Sequence, residues 1–309
     1  MGYSAFMTSL ELGFVYGFVA LGVFISFRVL DFPDLTADGS FPAGAAVAAS
    51  LIVNGHNPFL ATAAAVLVGA LCGIVTAALN RKFKILHLLA GILTMIAMFS
   101  INLRIMGQPN TPLLGGDTVL TPLRGLGLEL SLLKVLFAGT VVLIFGGLLS
   151  WFLLSDAGLA MRATGANPRM ARANGIDVDY NIYLGLALSN GLIALGGALF
   201  AQLAGFADVQ MGSGTILIGL AAVILGEALF RVRALVIIVF ACIVGSIAYR
   251  LAIGFALNSQ SLGLRSSDLR LVTAVLVAVA FIVSTARRNS NWIPWRRTVR
   301  KAGQEGARS

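Results

Sequence analysis

The chain has 309 residues, of which 58% are hydrophobic and only 11% are charged, whereas soluble domains carry about 25% charged residues. This composition excludes an ordinary soluble protein and indicates an integral membrane protein. The net charge is +9, and seven of the 22 Lys and Arg residues follow residue 286. Such a tail is typical of a membrane surface, so we expect no nucleic-acid partner.

A helix needs about 20 apolar residues to cross the hydrocarbon core of a membrane. Apolar runs predict eight spans, at 10–30, 58–79, 85–105, 132–154, 182–204, 216–230, 234–257 and 271–286. The run 41–53 is too short to cross alone and predicts a broken or re-entrant helix. The predicted fold is all-α, a polytopic transmembrane helix bundle of about 8–10 membrane segments. We expect residues 1–286 to form one transmembrane domain and residues 287–309 to form a basic cytoplasmic tail.

Positive charge predicts the orientation of the bundle, because Lys and Arg collect in cytoplasmic loops. Fifteen of the 22 lie in four places, namely 81–84, 155–177, 231–233 and the tail. All four fall on one side if the spans alternate. We therefore expect a cytoplasmic C-terminus, and an N-terminus on the other side only if 41–53 crosses.

The first polar interruption, LDFPDLTADGSFPAGAAVAAS, occupies residues 30–50. It contains Asp31, Asp34, Asp38 and two prolines, and it ends in the short apolar run. Since Asp, Gly and Ser are frequent in turns and caps, we predict a turn at 38–40 and a short helix that begins at Phe41. A polar break at membrane depth is typical of a substrate pathway. The alternative is an exposed loop between two helices.

The second interruption, SDAGLAMRATGANPRMARANGID, occupies residues 155–177. Ser155 or Asp156 can cap a short helix that stops at Gly165. Asn167 can cap a second one, with Pro168 at its first position and an end at 174–175. The predicted structure is therefore helix, glycine joint, helix, with apolar side chains and three arginines. It could dock in a groove of a soluble partner, or it could be a basic connector that rests on anionic lipid.

The sequence has no Walker A loop, no H-E-x-x-H, no C-x-x-C and no G-x-S-x-G. We therefore expect no catalytic residue, no metal site and no cofactor in this chain. If transport consumes ATP, another subunit must bind it. A carrier driven by protons or sodium would need an acidic residue near the midplane, and none stands out, which disfavours that class.

With these residues in view, the chain resembles the permease subunits of ATP-binding-cassette importers, in the branch that includes the branched-chain amino acid and ribose systems. Most of the resemblance lies in GLAMRATGANPRMARANGIDV and in the later SNGLIALGGALFAQLAGFADVQMGSGTILIGLAAVILGEAL. The form DFPDLTADGSFPAGAAVAA is similar to a subgroup whose binding-protein partners include ones for tryptophan-like amino acids. It replaces the N-F-A-H-like break of the branched-chain members.

The resemblance implies that residues 155–180 form a cytoplasmic coupling loop that contacts an ATPase. The positions that match the family are Gly158, Arg162, Ala163, Asn167, Met170, Ala171, Gly175 and Ile176. Three further residues are predicted to take part in the ATPase contact. They are Gly165, as the joint between the two short helices, and the charged residues Arg169 and Arg172.

The implied function is that of the permease subunit of a binding-protein-dependent importer in the bacterial cytoplasmic (inner) membrane. It would move a small polar solute, such as an amino acid, with ATP hydrolysed by a separate subunit. The implied partners are an ATP-binding subunit, an extracytoplasmic substrate-binding protein, a second permease copy and the lipid membrane. The polar residues expected near the pathway are Asp31, Asp34, Asp38, Ser40, Asn102, Asn190 and Gln202. The alternative is an ion-coupled secondary transporter or channel.

Overall fold

The computed structural model describes residues 2–113, 115–127, 129–230 and 234–258, together with Val275 and Ala278. Apart from those last two residues, the predicted span at 271–286 lies outside the described residues, as does the predicted tail at 287–309.

The described chain is almost entirely helical. Its helices are α1 (Tyr3–Val23), α2 (Ala37–Val53), α3 (Pro58–Arg81), α4 (His87–Met106), α5 (Leu130–Leu154), α6 (Asp156–Ala166), α7 (Pro168–Ala173), α8 (Val178–Ala204), α9 (Thr215–Leu229) and α10 (Leu235–Asn258). A π-helical segment (Phe24–Val29) continues α1, and 3₁₀ helices occupy Thr121–Leu126 and Val209–Gly212. Two short strands, β1 (Asn110–Pro112) and β2 (Phe206–Asp208), pair antiparallel.

The bundle has two ends that differ in chemistry. At the sheet end, β1 follows α4 and β2 follows α8. At the basic end, the α3–α4 connection carries Lys82 and Lys84, and α6 and α7 carry Arg162, Arg169 and Arg172. Asp179 forms ion pairs with both Arg81 and Arg172, so the basic clusters at 81–84 and 155–177, which the sequence predicts to share one side, lie together.

Seven helices of the described chain are long and apolar enough to cross a membrane. They confirm the all-α transmembrane bundle, and seven of the eight predicted spans correspond to them. The first helix begins at Tyr3 rather than at residue 10. In its polar first turns the Thr8 and Ser9 hydroxyls donate to backbone carbonyls four residues earlier, which satisfies these side chains within the helix.

The prediction of a turn at 38–40 and a helix start at Phe41 is wrong. Helix α2 begins at Ala37 and spans 17 residues, with Pro42 inside it. The amide groups of Gly39 and Ser40 already donate to the Thr36 carbonyl, at 2.8 Å each. Long-range contacts of these residues, described below, hold this turn in the helix.

The chain returns from the basic end to the sheet end through residues 31–53. Helix α1 starts at the sheet end, where the Tyr3 hydroxyl donates to Glu129 ahead of α5. Helix α3 also starts there, because Thr62 accepts a hydrogen bond from Gln202 near the end of α8. The extended stretch after α1 and the short helix α2 therefore complete one passage through the bundle together.

Close packing of backbones explains the glycine pairs of the sequence. A Cβ atom on Gly73 would lie 2.1 Å from the Leu186 carbonyl oxygen, and one on Gly69 would lie 2.5 Å from that of Asn190. On Gly197 it would lie 1.9 Å from the Phe41 carbonyl oxygen. Only glycine permits such approach between membrane helices. Helix α8 thereby packs directly on α2 and α3, at the centre of the bundle.

The outer surface of the bundle is apolar. Leu60, Leu67 and Leu71 on α3 are 58–69% exposed, and Trp151 on α5 is 74% exposed. A soluble protein rarely leaves large apolar surfaces of this kind uncovered. The exposed faces of α3 and α5 therefore fit contact with lipid chains or with another membrane-spanning surface.

Candidate functional site

The two-helix segment, residues 155–177, lies at the basic end and is built from local capping signals. Ser155 is the N-cap of α6, and its hydroxyl accepts from the Gly158 amide at 3.4 Å. Asn167 is the N-cap of α7, and its Oδ1 accepts from the amides of Arg169 and Met170 at 3.1 Å each. Both predicted caps are confirmed, with Ser155 rather than Asp156 as the first.

The end of α7 is also fixed by backbone hydrogen bonds. The Gly175 amide donates to the Arg172 carbonyl, and the Ile176 amide donates to the Ala171 carbonyl, both at 3.0 Å. Gly175 has φ of +79°, the left-handed conformation that this ending requires. The predicted end of the second helix at 174–175 is therefore confirmed.

The prediction that α6 stops at Gly165 is wrong, because α6 continues to Ala166 and the break falls at Asn167. Gly165 instead permits a close approach. A Cβ atom there would lie 2.0 Å from the Val29 carbonyl oxygen, at the end of the π-helical segment. Gly158 similarly lies against the last turn of α5, where a Cβ atom would lie 2.3 Å from the Phe152 carbonyl oxygen.

The predicted coupling residues divide into an anchored group and an exposed group. Gly158 and Ala171 are buried. Arg162, Ala163, Gly165 and Ile176 are half-buried. The exposed group consists of Asn167, Arg169, Met170, Arg172 and Gly175. Because Met170 is 65% exposed beside two arginines, α7 presents an apolar side chain within a basic surface. This surface suits a partner that has an apolar pocket and acidic surroundings.

A second region, the polar cluster, lies inside the bundle and consists of Asp34, Thr36, Ser40, Thr76, Thr94 and Asn190. Asp34 is 2% exposed and accepts hydrogen bonds from the Thr36 amide at 2.9 Å and from Asn190 Nδ2 at 2.7 Å. Asn190 Oδ1 in turn accepts from the Ser40 hydroxyl at 2.7 Å. The sequence-predicted residues Asp34, Ser40 and Asn190 are therefore brought together.

A chain of three threonines extends the polar cluster toward α4. The hydroxyl oxygens of Thr36 and Thr76 are 2.7 Å apart, and Thr76 donates to Thr94 at 2.9 Å. Thr94 then donates to the Ala90 carbonyl within its own helix. Buried polar groups at membrane depth are stable only when they are paired in this way. The cluster consequently ties α2, α3, α4 and α8 to one another.

Thr36, Thr76 and Thr94 are not among the pathway residues that the sequence predicts. Each lies in or beside an apolar run, and membrane helices commonly contain threonine because its hydroxyl can bond to a backbone carbonyl of the preceding turn. The spacing of Thr76 and Thr94, 18 residues apart on two helices, gives no local signal. Only the packing of α3 on α4 brings them together.

Next to the polar cluster is a cleft of about 460 Å³, between α2, α4 and the segment that precedes α9. Its lining residues are Asp38, Gly39, Pro42, Met95, Ile96, Phe99, Ser100, Asn102, Val209, Gln210, Ser213 and Gly214. The volume falls in the range of about 300–1,000 Å³ that small-molecule sites occupy. The lining combines an aromatic ring with a carboxylate and amide groups.

Asp38 joins the two helix starts that border this cleft. Its carboxylate accepts from the amide of Gly214 at 3.1 Å and from that of Ile216 at 2.8 Å, at the N-terminus of α9. Its own carbonyl has no helical donor, because residue 42 is proline. Gly212 packs there instead, since a Cβ atom on it would lie 2.0 Å from that oxygen. These long-range contacts stabilise the first turn of α2.

Asn102 also lines the cleft and is fully buried. Its Nδ2 donates to the Gly39 carbonyl at 3.3 Å, whereas its Oδ1 has no hydrogen-bond partner. An unpaired buried acceptor costs about 1–3 kcal/mol. Asn102 Oδ1 is thus a buried acceptor beside the cleft to which no described group donates.

Two of the predicted pathway residues lie apart from this region. Asp31 is exposed near the end of α1 and has φ of +52°. Gln202 lies at the sheet end, where Oε1 accepts from the Val119 amide at 3.1 Å and Nε2 donates to Thr62 at 2.8 Å. Gln202 therefore fastens the α4–α5 connection to α3 and α8, and none of these hydrogen bonds reaches the polar cluster or the cleft lining.

Comparison with known proteins yields matches along most of the chain. Residues 5–288 match the family model described as "Branched-chain amino acid transport system / permease component". A tyrosine transport system permease protein of Clostridioides difficile (strain R20291) is 41% identical over 286 residues, which cover 91% of this chain and 93% of that protein. An uncharacterized protein of Rickettsia prowazekii (strain Madrid E) is 34% identical, with 89% and 95% of the two chains covered.

The fold is also similar to a solved structure, PsaBC from Streptococcus pneumoniae in complex with Fab. The TM-score is 0.51 at 16% sequence identity, and the match covers 90% of each chain. At this identity the likeness concerns the fold alone. It extends over the bundle as a whole.

Proposed function

Because the chain belongs to the branched-chain amino acid transport system permease family and is therefore the permease subunit of an ABC importer, we propose that it carries an aromatic amino acid into a bacterial cell. Tyrosine is the first candidate, since a relative that is 41% identical is a tyrosine transport permease. The match along nine-tenths of both chains is the observation that carries this proposal.

The proposed pathway runs past the polar cluster and the cleft beside it. Three features of the cleft support an amino acid as the solute. Phe99 is 48% exposed and offers a ring face, and the Asn102 oxygen lacks a partner. Asp38 contributes a carboxylate, although its oxygens already hold the start of α9. A solute that displaced those bonds would also loosen the junction between α2 and α9.

The two-helix segment is the proposed contact with the ATPase, on the cytoplasmic side of the membrane. Met170 and the flanking arginines form the exposed part, and Gly165 seats α6 against the end of α1. A movement of the ATPase on ATP binding would press on α7 and reach α1 through α6. A coupled movement of this kind needs contacts that differ between two states of the transporter.

The mechanism class can be tested by copurification and reconstitution. A tagged chain isolated from its own bacterium should bring down an ATP-binding subunit, and proteoliposomes of this assembly should accumulate labelled tyrosine only with ATP and the binding protein. Uptake driven by a proton or sodium gradient alone, without any ATPase, would establish the secondary carrier instead. Uptake of leucine but not tyrosine would leave the importer intact and overturn only the aromatic substrate.

The ATPase contact can be tested with a matched pair of exposed residues at the basic end. Met170 and Phe83 are both 65% exposed, but only Met170 lies in the two-helix segment. Met170→Ala should lower both ATPase copurification and ATP-dependent uptake, and Phe83→Ala should change neither. Equal effects of the two variants would show that α7 is not a specific contact for the ATPase.

The pathway can be tested in the same vesicles. Asn102→Leu should fill part of the cleft and remove its free acceptor, so we expect lower tyrosine uptake with ATPase copurification preserved. Asn54 is exposed after α2 and serves as the control amide. Full uptake by Asn102→Leu would show that the solute passes elsewhere.

A further inference from the structure

The basic end carries a cavity of about 420 Å³ that lies outside the proposed pathway and shares only Arg172 with the two-helix segment. It lies between the end of α3, the α3–α4 connection, the start of α4 and Arg172 of α7. The residues that line it and bear on its chemistry are Asn80, Arg81, Lys84, Leu86, His87 and Arg172. Three side chains that are cationic at neutral pH and an imidazole, from two distant parts of the chain, thus face one space.

Only part of this charge is compensated. Asp179 forms ion pairs with both Arg81 and Arg172, the latter at 3.5 Å, so one carboxylate serves two guanidinium groups. Lys84 is not among the ion-paired residues of the described chain. The cavity therefore keeps an excess of positive charge that favours an anion.

The position of Lys84 is fixed by the backbone around it. Its φ is +58°, a conformation that residues other than glycine rarely adopt. The neighbouring Ile85 is held on both sides, because its amide donates to the Leu79 carbonyl at 3.1 Å and its carbonyl accepts from Asn80 Nδ2 at 2.7 Å. The ammonium group thus extends from an anchored turn rather than from a loose loop.

Two further features indicate what kind of anion fits. Leu86 lines the cavity and is 75% exposed, and Leu88 and Leu89 are 52% and 47% exposed in the first turn of the transmembrane helix α4 that begins there. The buried Asn80 Oδ1 has no hydrogen-bond partner and can accept from a hydroxyl group. A ligand with an anionic group, hydroxyls and an apolar body matches all of these features.

We propose that this cavity binds the headgroup of an anionic phospholipid with a glycerol headgroup, such as phosphatidylglycerol. The phosphodiester lies among Lys84, His87 and Arg172, a glycerol hydroxyl donates to Asn80, and the acyl chains run along the exposed leucines of α4. Basic pockets at the ends of membrane helices bind phospholipid headgroups through this chemistry. Since Arg172 lies on α7, the bound lipid connects the two-helix segment to the α3–α4 connection.

The test measures lipid binding directly, and it does not depend on the transported solute. The full-length chain in detergent is mixed with phosphatidylglycerol or phosphatidylcholine, and bound lipid is counted by native mass spectrometry. We expect preferential binding of one phosphatidylglycerol. Lys84→Gln and Arg172→Gln should each weaken this binding about fivefold, the effect of one charge near a membrane surface. Lys84→Arg should retain it.

Lys82 provides the matched control, because it is exposed in the same connection and does not line the cavity. Lys82→Gln should leave the binding within about twofold of the original. An equal loss in Lys82→Gln would overturn the proposal in favour of diffuse attraction between charges. Binding of glycerol 3-phosphate as tightly as of the lipid would overturn it in favour of a free phosphate ester. Loss of ATPase copurification in Lys84→Gln, with no lipid bound to any variant, would assign the cavity to the ATPase.

Discussion

The two-helix segment and the interior around the start of α2 are both interruptions of an apolar chain, but they are built in opposite ways. The two helices of the segment are capped by contacts between residues two to five positions apart, such as the Asn167 cap and the Gly175 ending, whereas Gly165 seats α6 on a distant helix. The interior depends on contacts across more than 100 residues, such as those that Asp34 and Asp38 make. Local sequence signals thus determine the helices of the exposed two-helix segment, and long-range contacts determine the structure of the buried interior.

This difference predicts where a substitution acts. A change in the interior should lower the stability of the whole bundle, because several helices share each contact. A change in the two-helix segment should loosen that segment and leave the bundle intact. Substitutions in each of the two regions test this contrast.

Gly197→Ala should be the most destabilising of them. Its methyl group would meet the Phe41 carbonyl oxygen at 1.9 Å, so α8 and α2 must separate. Overpacking of this kind costs about 1–3 kcal/mol, and more where backbone must move. The nearest atom to a methyl group on Gly191, in the same helix, would be at 3.5 Å. Gly191→Ala should therefore keep or raise the melting temperature, because alanine stabilises a helix by up to about 1 kcal/mol relative to glycine. Similar melting temperatures of the two variants in detergent would contradict the close contact of α8 and α2.

Asp34→Asn should come next. The new amide group can accept one hydrogen bond but places a donor against a second donor, at a cost of about 1–3 kcal/mol. Asp31→Asn is the matched change at an exposed carboxylate, and asparagine tolerates the positive φ there. We expect Asp31→Asn to stay within about 0.5 kcal/mol of the original protein. A thermal shift that is equal for both variants would show that the polar cluster contributes nothing to stability.

Asn167→Ala should cost about 1 kcal/mol, confined to α7, since it removes the N-cap that serves two amides. Hydrogen exchange of the α7 amides should accelerate while the melting temperature of the bundle stays unchanged. Asn167→Asp keeps the acceptor and should preserve protection. A fall in the melting temperature with Asn167→Ala would mean that α7 is part of the core. It would contradict the proposed difference between the two-helix segment and the interior.

Arg169→Ala should have the smallest effect on stability, within about 0.5 kcal/mol, because the side chain is exposed. Thermal unfolding in detergent measures this directly. A larger loss would reveal that the exposed surface of α7 stabilises the bundle.

The same contrast explains which parts of the structure the sequence predicts. The caps at Ser155 and Asn167 are local, and both were predictable from residue type and order. The long apolar runs were likewise sufficient to locate seven spans. The start of α2 was misplaced because Asp38 is a good local cap by type, whereas its carboxylate caps α9 instead, 176 and 178 residues further along the chain.

Gly165 illustrates a second limit. A glycine near the end of a short helix indicates a helix stop, and nothing near it in sequence indicates otherwise. Its actual role is contact with the Val29 carbonyl, which belongs to a helix more than 130 residues earlier. For the candidate pathway, residue type selected Asp34, Ser40 and Asn190, which the structure brings together, and their place in the pathway stays a prediction. It also selected Asp31 and Gln202, because polarity alone does not distinguish an exposed or fastening side chain from a clustered one.

The contact of Gly165 with Val29 also determines how directly the two-helix segment is connected to the buried interior around the start of α2. Val29, which Gly165 contacts, lies five residues before Asp34. Five residues span at most about 18 Å when fully extended, and proline at position 33 fixes one of their backbone angles. In mechanical terms this connection is short. The proposed displacement of α6 would therefore reach the buried carboxylate through five residues, and a glycine-rich insertion at residues 30–33 would weaken that connection.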